Sequence, residues 1–498
     1  MAKPQPTGPP RALTGIEGLD LVLGGGLPRH RLYLLEGSPG VGKTTMALQF
    51  LMEGRDKGEQ GLYVTLSETT EELKAVTESH GWTLDGITVY ELSDVDTAGG
   101  DDYTLFHPSE VELGETTRGV LEIVDRIKPQ RVVFDSLSEL RLLARDPLRY
   151  RRQILSLKQY FVGRKCTVML LDDRTSMPND LQLESLAHGV VDLEQLAPEY
   201  GAERRRLRVK KMRGIPFDGG FHDFRITTGG AVVYPRLVAA AHHPSFEAET
   251  LKSGVEELDD LLGGGLERGS STLIMGPAGA GKTTMALRYA LSAVVRGERA
   301  AFFTFEEGIG ILHTRAVGLG WDLKTHVDAG RLLVEQIDPA QLSPGEFAHR
   351  VREQARDGVS VVVIDSLNGY LSSMPEERHL YLHLHELLSY LNQSGVVTIV
   401  VLAQHGVLGS MRSPVDVSYL ADGTILLRYF ERDGHLHEAI SVVKKRSGRH
   451  ERTLREFEIG GPAGLRIGPP LENLRGIMTG VPVSFGGREA PNREPEHG

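Results

Sequence analysis

Short, almost wholly apolar runs alternate along this chain with longer stretches in which apolar residues return every three or four positions. Leu32-Tyr-Leu-Leu35, Gly61-Leu-Tyr-Val-Thr65, Val132-Val-Phe134 and Thr167-Val-Met-Leu-Leu171 are runs of the first kind. Their lack of polar alternation predicts strands buried on both faces. Amphipathic stretches, such as 44–54 and 119–127, separate them and predict helices. The alternation predicts an α/β fold, a parallel sheet covered by helices on both faces. The longest apolar runs, such as 395–403, fall short of the ~20 residues that span a bilayer. No apolar stretch of a signal peptide follows Met1-Ala2-Lys3-Pro4. A cytoplasmic protein without membrane contact is expected.

The same pattern is then repeated. Gly15-Ile-Glu-Gly-Leu-Asp20 returns as Gly254-Val-Glu-Glu-Leu-Asp259, and Leu23-Gly-Gly-Gly-Leu27 as Leu262-Gly-Gly-Gly-Leu266. Gly42-Lys-Thr-Thr-Met-Ala-Leu48 returns as Gly281-Lys-Thr-Thr-Met-Ala-Leu287. The offset is a constant 239 residues from Gly15 to Leu48. A unit of ~240 residues is too long for a solenoid repeat, so two homologous domains are expected, at 11–243 and 244–470. Residues 1–10 and the tail 471–498 are expected to be largely disordered, the tail because it lacks apolar periodicity.

Each domain carries a phosphate-loop motif, G-x-x-x-x-G-K-[ST], between a predicted strand and a predicted helix. The first is Gly37-Ser38-Pro39-Gly40-Val41-Gly42-Lys43-Thr44-Thr45, the second Gly276-Pro277-Ala278-Gly279-Ala280-Gly281-Lys282-Thr283-Thr284. Glycines let the backbone wrap a phosphate with its N–H groups inward, and the following helix N-terminus favours negative charge. Lys43 and Lys282 are expected on the β- and γ-phosphates of ATP, Thr44 and Thr283 on Mg²⁺. Two strand-end acids, Asp135 in Arg131-Val-Val-Phe-Asp135 and Asp365 in Val361-Val-Val-Ile-Asp365, are expected to hold the metal's water. A catalytic base is expected at Glu306 or Glu307, which follow Phe302-Phe-Thr-Phe. The offset maps them onto Ser67 and Glu68, so the first domain keeps only Glu68. Glu68 or Glu307 serving merely as a helix cap is the plainer alternative.

Composition narrows the function further. Of 498 residues 58 are glycine, an excess over the average of ~7%, and the phosphate loops and Gly24-Gly-Gly26 with Gly263-Gly-Gly265 give much of that excess a place. A net charge of −11 and 6% aromatic content argue against a dedicated nucleic-acid binder. Arg204-Arg-Arg206 is a local exception, expected to face solvent or a protein partner. The single Cys166 excludes a disulfide framework within the chain and is expected as a buried core thiol. His379 and His383 share a helix face, but a metal site there is not expected.

At these residues the chain resembles the KaiC family, tandem-domain ATPases of the RecA fold related to the cyanobacterial clock protein. Lys211-Met-Arg213-Gly214, Tyr419-Leu-Ala-Asp422 through Phe430, and Val443-Lys444-Lys-Arg446 add to the resemblance. It implies a homohexamer with ATP between neighbouring subunits, clock or signalling partners, and a role in circadian-type regulation. Lys211, Arg213, Lys444 and Arg446 would act in trans on the neighbour's nucleotide. The resemblance also implies serine/threonine autokinase activity in the second domain. There a Ser-Thr pair of the family corresponds to Ser418 and Tyr419, leaving Ser418 as the acceptor. Three departures stand out: Tyr419, Ser67 for the first of two glutamates, and Ser447-Gly448-Arg449 where the family leads with glycine, though His450 matches. A RecA-type DNA recombination or helicase motor and a non-catalytic, ATP-stabilised scaffold are the alternatives.

Overall fold

The computed structural model describes residues 9–91, 108–144, 146–173, 182–198, 201–239, 246–372, 380–404, 419–460, 464–472, 474–477 and 483–484. The chain divides into two compact units, 1–236 and 237–498. Each is a nine-stranded sheet with helices, a RecA-like α/β domain.

In the first unit the strands are β1 (Leu32–Gly37), β2 (Gly61–Thr65), β3 (Ile87–Glu91), β4 (Arg131–Asp135) and β5 (Thr167–Asp172). They continue as β6 (Gly189–Leu196), β7 (Arg204–Met212), β8 (His222–Thr227) and β9 (Gly230–Tyr234). Their order across the sheet is β9-β8-β7-β6-β1-β5-β4-β2-β3. The second unit repeats that order with β10 (Ser271–Gly276), β11 (Arg299–Thr304), β12 (Leu332–Gln336), β13 (Val359–Asp365) and β14 (Val397–Ala403). Its remaining strands are β15 (Gly423–Arg432), β16 (His435–Lys445), β17 (Arg455–Ile459) and β18 (Leu465–Pro470).

The four apolar runs of the first domain are β1, β2, β4 and β5, and they are the parallel centre of the sheet. Their lack of alternation has a direct cause. Tyr63, Val133 and Met169 pack into the core layer on one face. Val64, Phe134 and Leu170 pack into the layer on the other. In the second domain Phe302, Val363 and Val401 face one layer and Phe303, Ile364 and Leu402 the other. Burial of each such side chain contributes about 1.5–3 kcal/mol, so neither face can admit a polar residue cheaply.

The sheets are not parallel throughout. From β6 onward the first sheet continues antiparallel through β7, β8 and β9. The second does the same from β15 to β18. Hairpins need no crossover helix, and these strands show the half-buried pattern of a sheet with one wet face, as in Arg204–Met212. The helix read at 119–127 is longer, Pro108–Ile127.

Folded chain runs on past residue 470. Ile477 is buried against Phe430 and Ala439, with Leu471 and Leu474 beside it. Cys166 is buried, its thiol donating to the Pro129 carbonyl at 3.1 Å. Arg205 and Arg206 pair with Glu203 and Glu194, and Arg206 also lies over the Phe221 ring. Among the described residues no helix is long and apolar enough to cross a membrane.

Candidate functional site

Both phosphate loops leave the C-terminal end of the central strand and enter a helix, Lys43–Asp56 in the first domain and Lys282–Val295 in the second. Gly42 and Gly281 cap those helices at φ 114° and 84°, a left-handed backbone that a side chain resists. Gly37 and Gly276 are needed for closeness instead. A Cβ at Gly37 would lie 2.8 Å from the Leu193 carbonyl oxygen, and one at Gly276 2.7 Å from that of Leu427.

Lys43 is buried inside its loop. Its ammonium donates to the carbonyls of Gly37 at 3.0 Å and Ser38 at 2.9 Å, and pairs with Asp173 at 2.7 Å. Lys282, equally buried, donates to the Pro277 carbonyl at 2.6 Å. Burial holds the Lys282 ammonium below its usual range, against the attraction of Asp365 and Glu306.

The strand-end acids lie where the loops begin their helices. Asp135 accepts from the Thr44 hydroxyl at 3.3 Å and from the Tyr63 hydroxyl at 2.5 Å. Burial, together with Asp173, raises its carboxyl above the ordinary range, while Tyr63, Lys43 and Thr44 oppose the rise. Asp365 is pushed up to about 6 by burial first, and the nearby Thr283 opposes the shift. Its Oδ2 has no hydrogen-bond partner among the described residues. The peptide after each of these aspartates is cis.

A threonine at the end of the neighbouring strand sets the position of the candidate base in both domains. Thr65 Oγ1 donates to the Glu68 carbonyl at 2.7 Å and accepts from the Glu68 N–H at 3.0 Å. Thr304 does the same for Glu307, at 2.9 and 3.2 Å. These glutamates do not cap helices. Thr69 caps the helix after Glu68, in a capping box with Glu72, and Gly308 caps the helix after Glu307. Glu68 Oε2 is buried with no hydrogen-bond partner among the described residues. Burial, then Asp135, Glu72 and Asp173, pushes its carboxyl up to about 7. Glu307 is tied to Arg315 at 2.6 Å, and Glu306 accepts from the Ser366 hydroxyl at 2.9 Å.

The residues expected to act in trans make their contacts outside their own loop. Lys211 pairs in register with Val190, beside Leu34, three residues before Gly37 along β1, and the Arg213 N–H donates to the His188 carbonyl, by the start of that strand. The Lys211 ammonium donates to the Glu184 carbonyl, and the Arg213 side chain to that of Ser185. Lys444 is placed alike, in register with Thr424 beside Leu273, and donates to the Ala421 carbonyl. Arg446 pairs with Asp422 at 3.1 Å and donates to the Tyr419 carbonyl. Ser418 and His379 lie outside the described residues.

Two loops, each with a buried lysine, a threonine, a strand-end aspartate and a further acid, make a doubled candidate nucleotide site. A model of the KaiC ATPases matches residues 12–238 and 251–472. The chain belongs to the KaiC family of ATPases. The circadian clock protein KaiC3 of Synechocystis is 28% identical over 480 residues, covering 94% of either chain. KaiC2 of the same organism, also named a circadian clock protein, is 27% identical over 89% of this chain and 79% of its own. The circadian clock oscillator protein KaiC of Parathermosynechococcus lividus is 27% identical over 96% and 88%.

The motifs and strand ends named the loops, the aspartates and the glutamates, but not Tyr63, Arg315, Ser366 and Asp173, which the structure brings beside them. Asp172-Asp173 ends an apolar run just as Asp135 does. That signal was visible, but it has no acidic counterpart in the second repeat, where Leu402-Ala403 stands.

Proposed function

We propose that this KaiC-family chain binds Mg²⁺–ATP at both loops and hydrolyses it to ADP and phosphate. The observation that carries the reading is a buried acid oxygen in each site with no hydrogen-bond partner among the described residues, Glu68 Oε2 and Asp365 Oδ2, set among like charges close to a buried lysine. Isolated buried carboxylates are costly, and a bound cation with its nucleotide relieves that cost. The residues therefore fit Mg²⁺, with Thr44 and Asp135 holding it in the first site and Thr283 and Asp365 in the second. The metal would supply charge neutralisation across the β- and γ-phosphate oxygens.

The chain's own groups do the rest. Residues 37–45 and 276–284 wrap the phosphates, and Lys43 and Lys282 draw charge from the γ-phosphoryl group. A water oxygen forms a bond to the γ-phosphorus while the bond to the bridging oxygen breaks and ADP leaves. Glu68 takes the water's proton in the first site, and Glu306 or Glu307 in the second, an effect of roughly 10²–10⁴-fold. The second domain, with two such acids against Ser67 and Glu68, is the more active hydrolase.

Assembly follows from where the basic residues lie. Lys211, Arg213, Lys444 and Arg446 contact carbonyls outside their own loops, which supports a ring, a homohexamer, in which each reaches a neighbour's nucleotide. The names of the relatives support a place in circadian-type or other signalling regulation, with protein partners rather than DNA. Autophosphorylation at Ser418 is the accompanying kinase reading.

One experiment separates these activities. The full chain is incubated with γ-labelled ATP and Mg²⁺, and free phosphate and protein-bound label are read together. Released phosphate that single-stranded DNA does not stimulate is expected. Background release with ATP still bound overturns hydrolysis. Label that survives Ser418→Ala removes that residue as the sole acceptor.

A further inference from the structure

We propose that Asp173 is the second acid of the first nucleotide site, a positioning residue that holds Lys43 and takes the place Glu306 fills in the second. The proposal rests on the reading of both loops as ATP sites.

Strand register establishes the exchange. Glu36 pairs with Asp172 across β1 and β5, and Met275 pairs with Leu402 across β10 and β14. The repeat offset maps Glu36 onto Met275, so Asp173 corresponds to Ala403. By the same offset Ser67 corresponds to Glu306. One domain thus has a hydroxyl at the end of the base-bearing strand and an acid at the end of the next strand but one. The other has the acid first and a methyl group second. Lys43 lies with Asp135, Glu68 and Asp173 in one site, and Lys282 with Asp365 and Glu306 in the other, where Glu307 acts on Asp365.

The contacts of Asp173 are those of a placed group. Its backbone N–H donates to the Ser138 hydroxyl at 3.3 Å, and Oδ1 meets the Lys43 ammonium at 2.7 Å. An ammonium has three donors. Two of them go to loop carbonyls, Gly37 and Ser38, so only the third can be exchanged without loosening the loop. Asp173 and a phosphate oxygen therefore compete for one N–H, and their charges repel. Burial first, and then Asp135 and Glu72, raise the Glu68 carboxyl, and the Asp173 charge adds to its strength as an acceptor for the proton of the attacking water. Asp173 accordingly costs ATP affinity and supports turnover, two effects of opposite sign on binding and rate.

The test uses the full chain carrying Lys282→Ala, which confines activity to the first site. ATP affinity is read with a fluorescent ATP analogue and turnover by phosphate release, with thermal melts to confirm folding. Asp173→Asn is expected to bind the analogue about threefold or more tighter and to turn over about tenfold more slowly, a split that general loosening of the site does not produce. Asp173→Glu should keep most of the rate. Asp173→Ala should lose it, and Ser67→Glu added to Asp173→Ala should restore it by the arrangement of the second site. Unchanged or weaker affinity in a folded Asp173→Asn protein overturns the proposal, as does a failure of Ser67→Glu to rescue. If the Lys282→Ala parent releases no phosphate, the hydrolytic reading of the first site fails by itself. The affinity comparison then still decides on Asp173.

Discussion

The Tyr63 hydroxyl donates to Asp135 Oδ2 at 2.5 Å, and the repeat offset places Phe302 where Tyr63 stands. The strand-end aspartate of the first domain thus has a neutral donor beneath it that the second domain lacks. Tyr63 is fully buried, and burial with Asp135 beside it holds its phenol well above the ordinary range. It remains a donor at every physiological pH.

Tyr63→Phe should therefore make the first site resemble the second. The lost hydrogen bond to a charged group is expected to cost about 1.5–3 kcal/mol of stability, read in urea melts. It also removes one influence that keeps Asp135 ionised, so more Mg²⁺ should be needed for half-maximal turnover in a Lys282→Ala background. An unchanged Mg²⁺ requirement would show that Asp135 does not depend on Tyr63.

Glu68 supplies a pH prediction with a definite sign. Its folded pKa, about 7, lies above the ordinary 4.5 because burial and three neighbouring acids disfavour its charge. The folded state then holds the proton more tightly than the unfolded chain, so this group's contribution to stability falls as pH rises from about 4.5 to about 7. Without nucleotide, Glu68→Gln should raise the melting temperature more at pH 8 than at pH 5. Turnover at the first site should rise through pH 7 as the base form appears, and Glu68→Gln should remove that rise.

The two acids of the second site are not equivalent. Glu306 acts on Lys282 and is oriented by Ser366, whereas Glu307 is tied to Arg315. In a Lys43→Ala background, Glu307→Gln, at the threonine-held position of Glu68, is expected to cost ~10²-fold or more in phosphate release, and Glu306→Gln, at the position Asp173 serves in the first site, about tenfold. Equal losses would place the proton on either acid indifferently.

The location of Arg446 predicts complementation. Arg446→Ala alone should lower second-site turnover by up to roughly 10³-fold. Lys282→Ala chains should be equally inactive at that site. Mixed and reassembled in a Lys43→Ala background, the two should regain activity, because an intact loop on one subunit can meet an intact Arg446 on another. No recovery on mixing would mean that Arg446 does not act across subunits.

The strands, the loops and the doubling of the domain were legible in the amino-acid order because each depends on local physics. A strand buried on both faces must be apolar throughout, as Val132-Val-Phe134 is. A phosphate loop needs glycine where Gly42 turns left-handed and where Gly37 touches Leu193. Repetition of the glycine-rich segments and the loops at one offset, Gly15 to Leu48, showed two domains. The antiparallel half of each sheet was not legible, since half-buried strands such as Arg204–Met212 carry a weaker signal. The partners within each site were hidden for another reason. Asp173 meets Lys43 across 130 residues of chain, and Tyr63 meets Asp135 across 72. No spacing rule links such pairs, because the strand order β1-β5-β4-β2 brings them together. Residue order thus determined which chemistry each domain carries, while tertiary folding decided which carboxylates share each lysine, because charges interact through space and not along the chain.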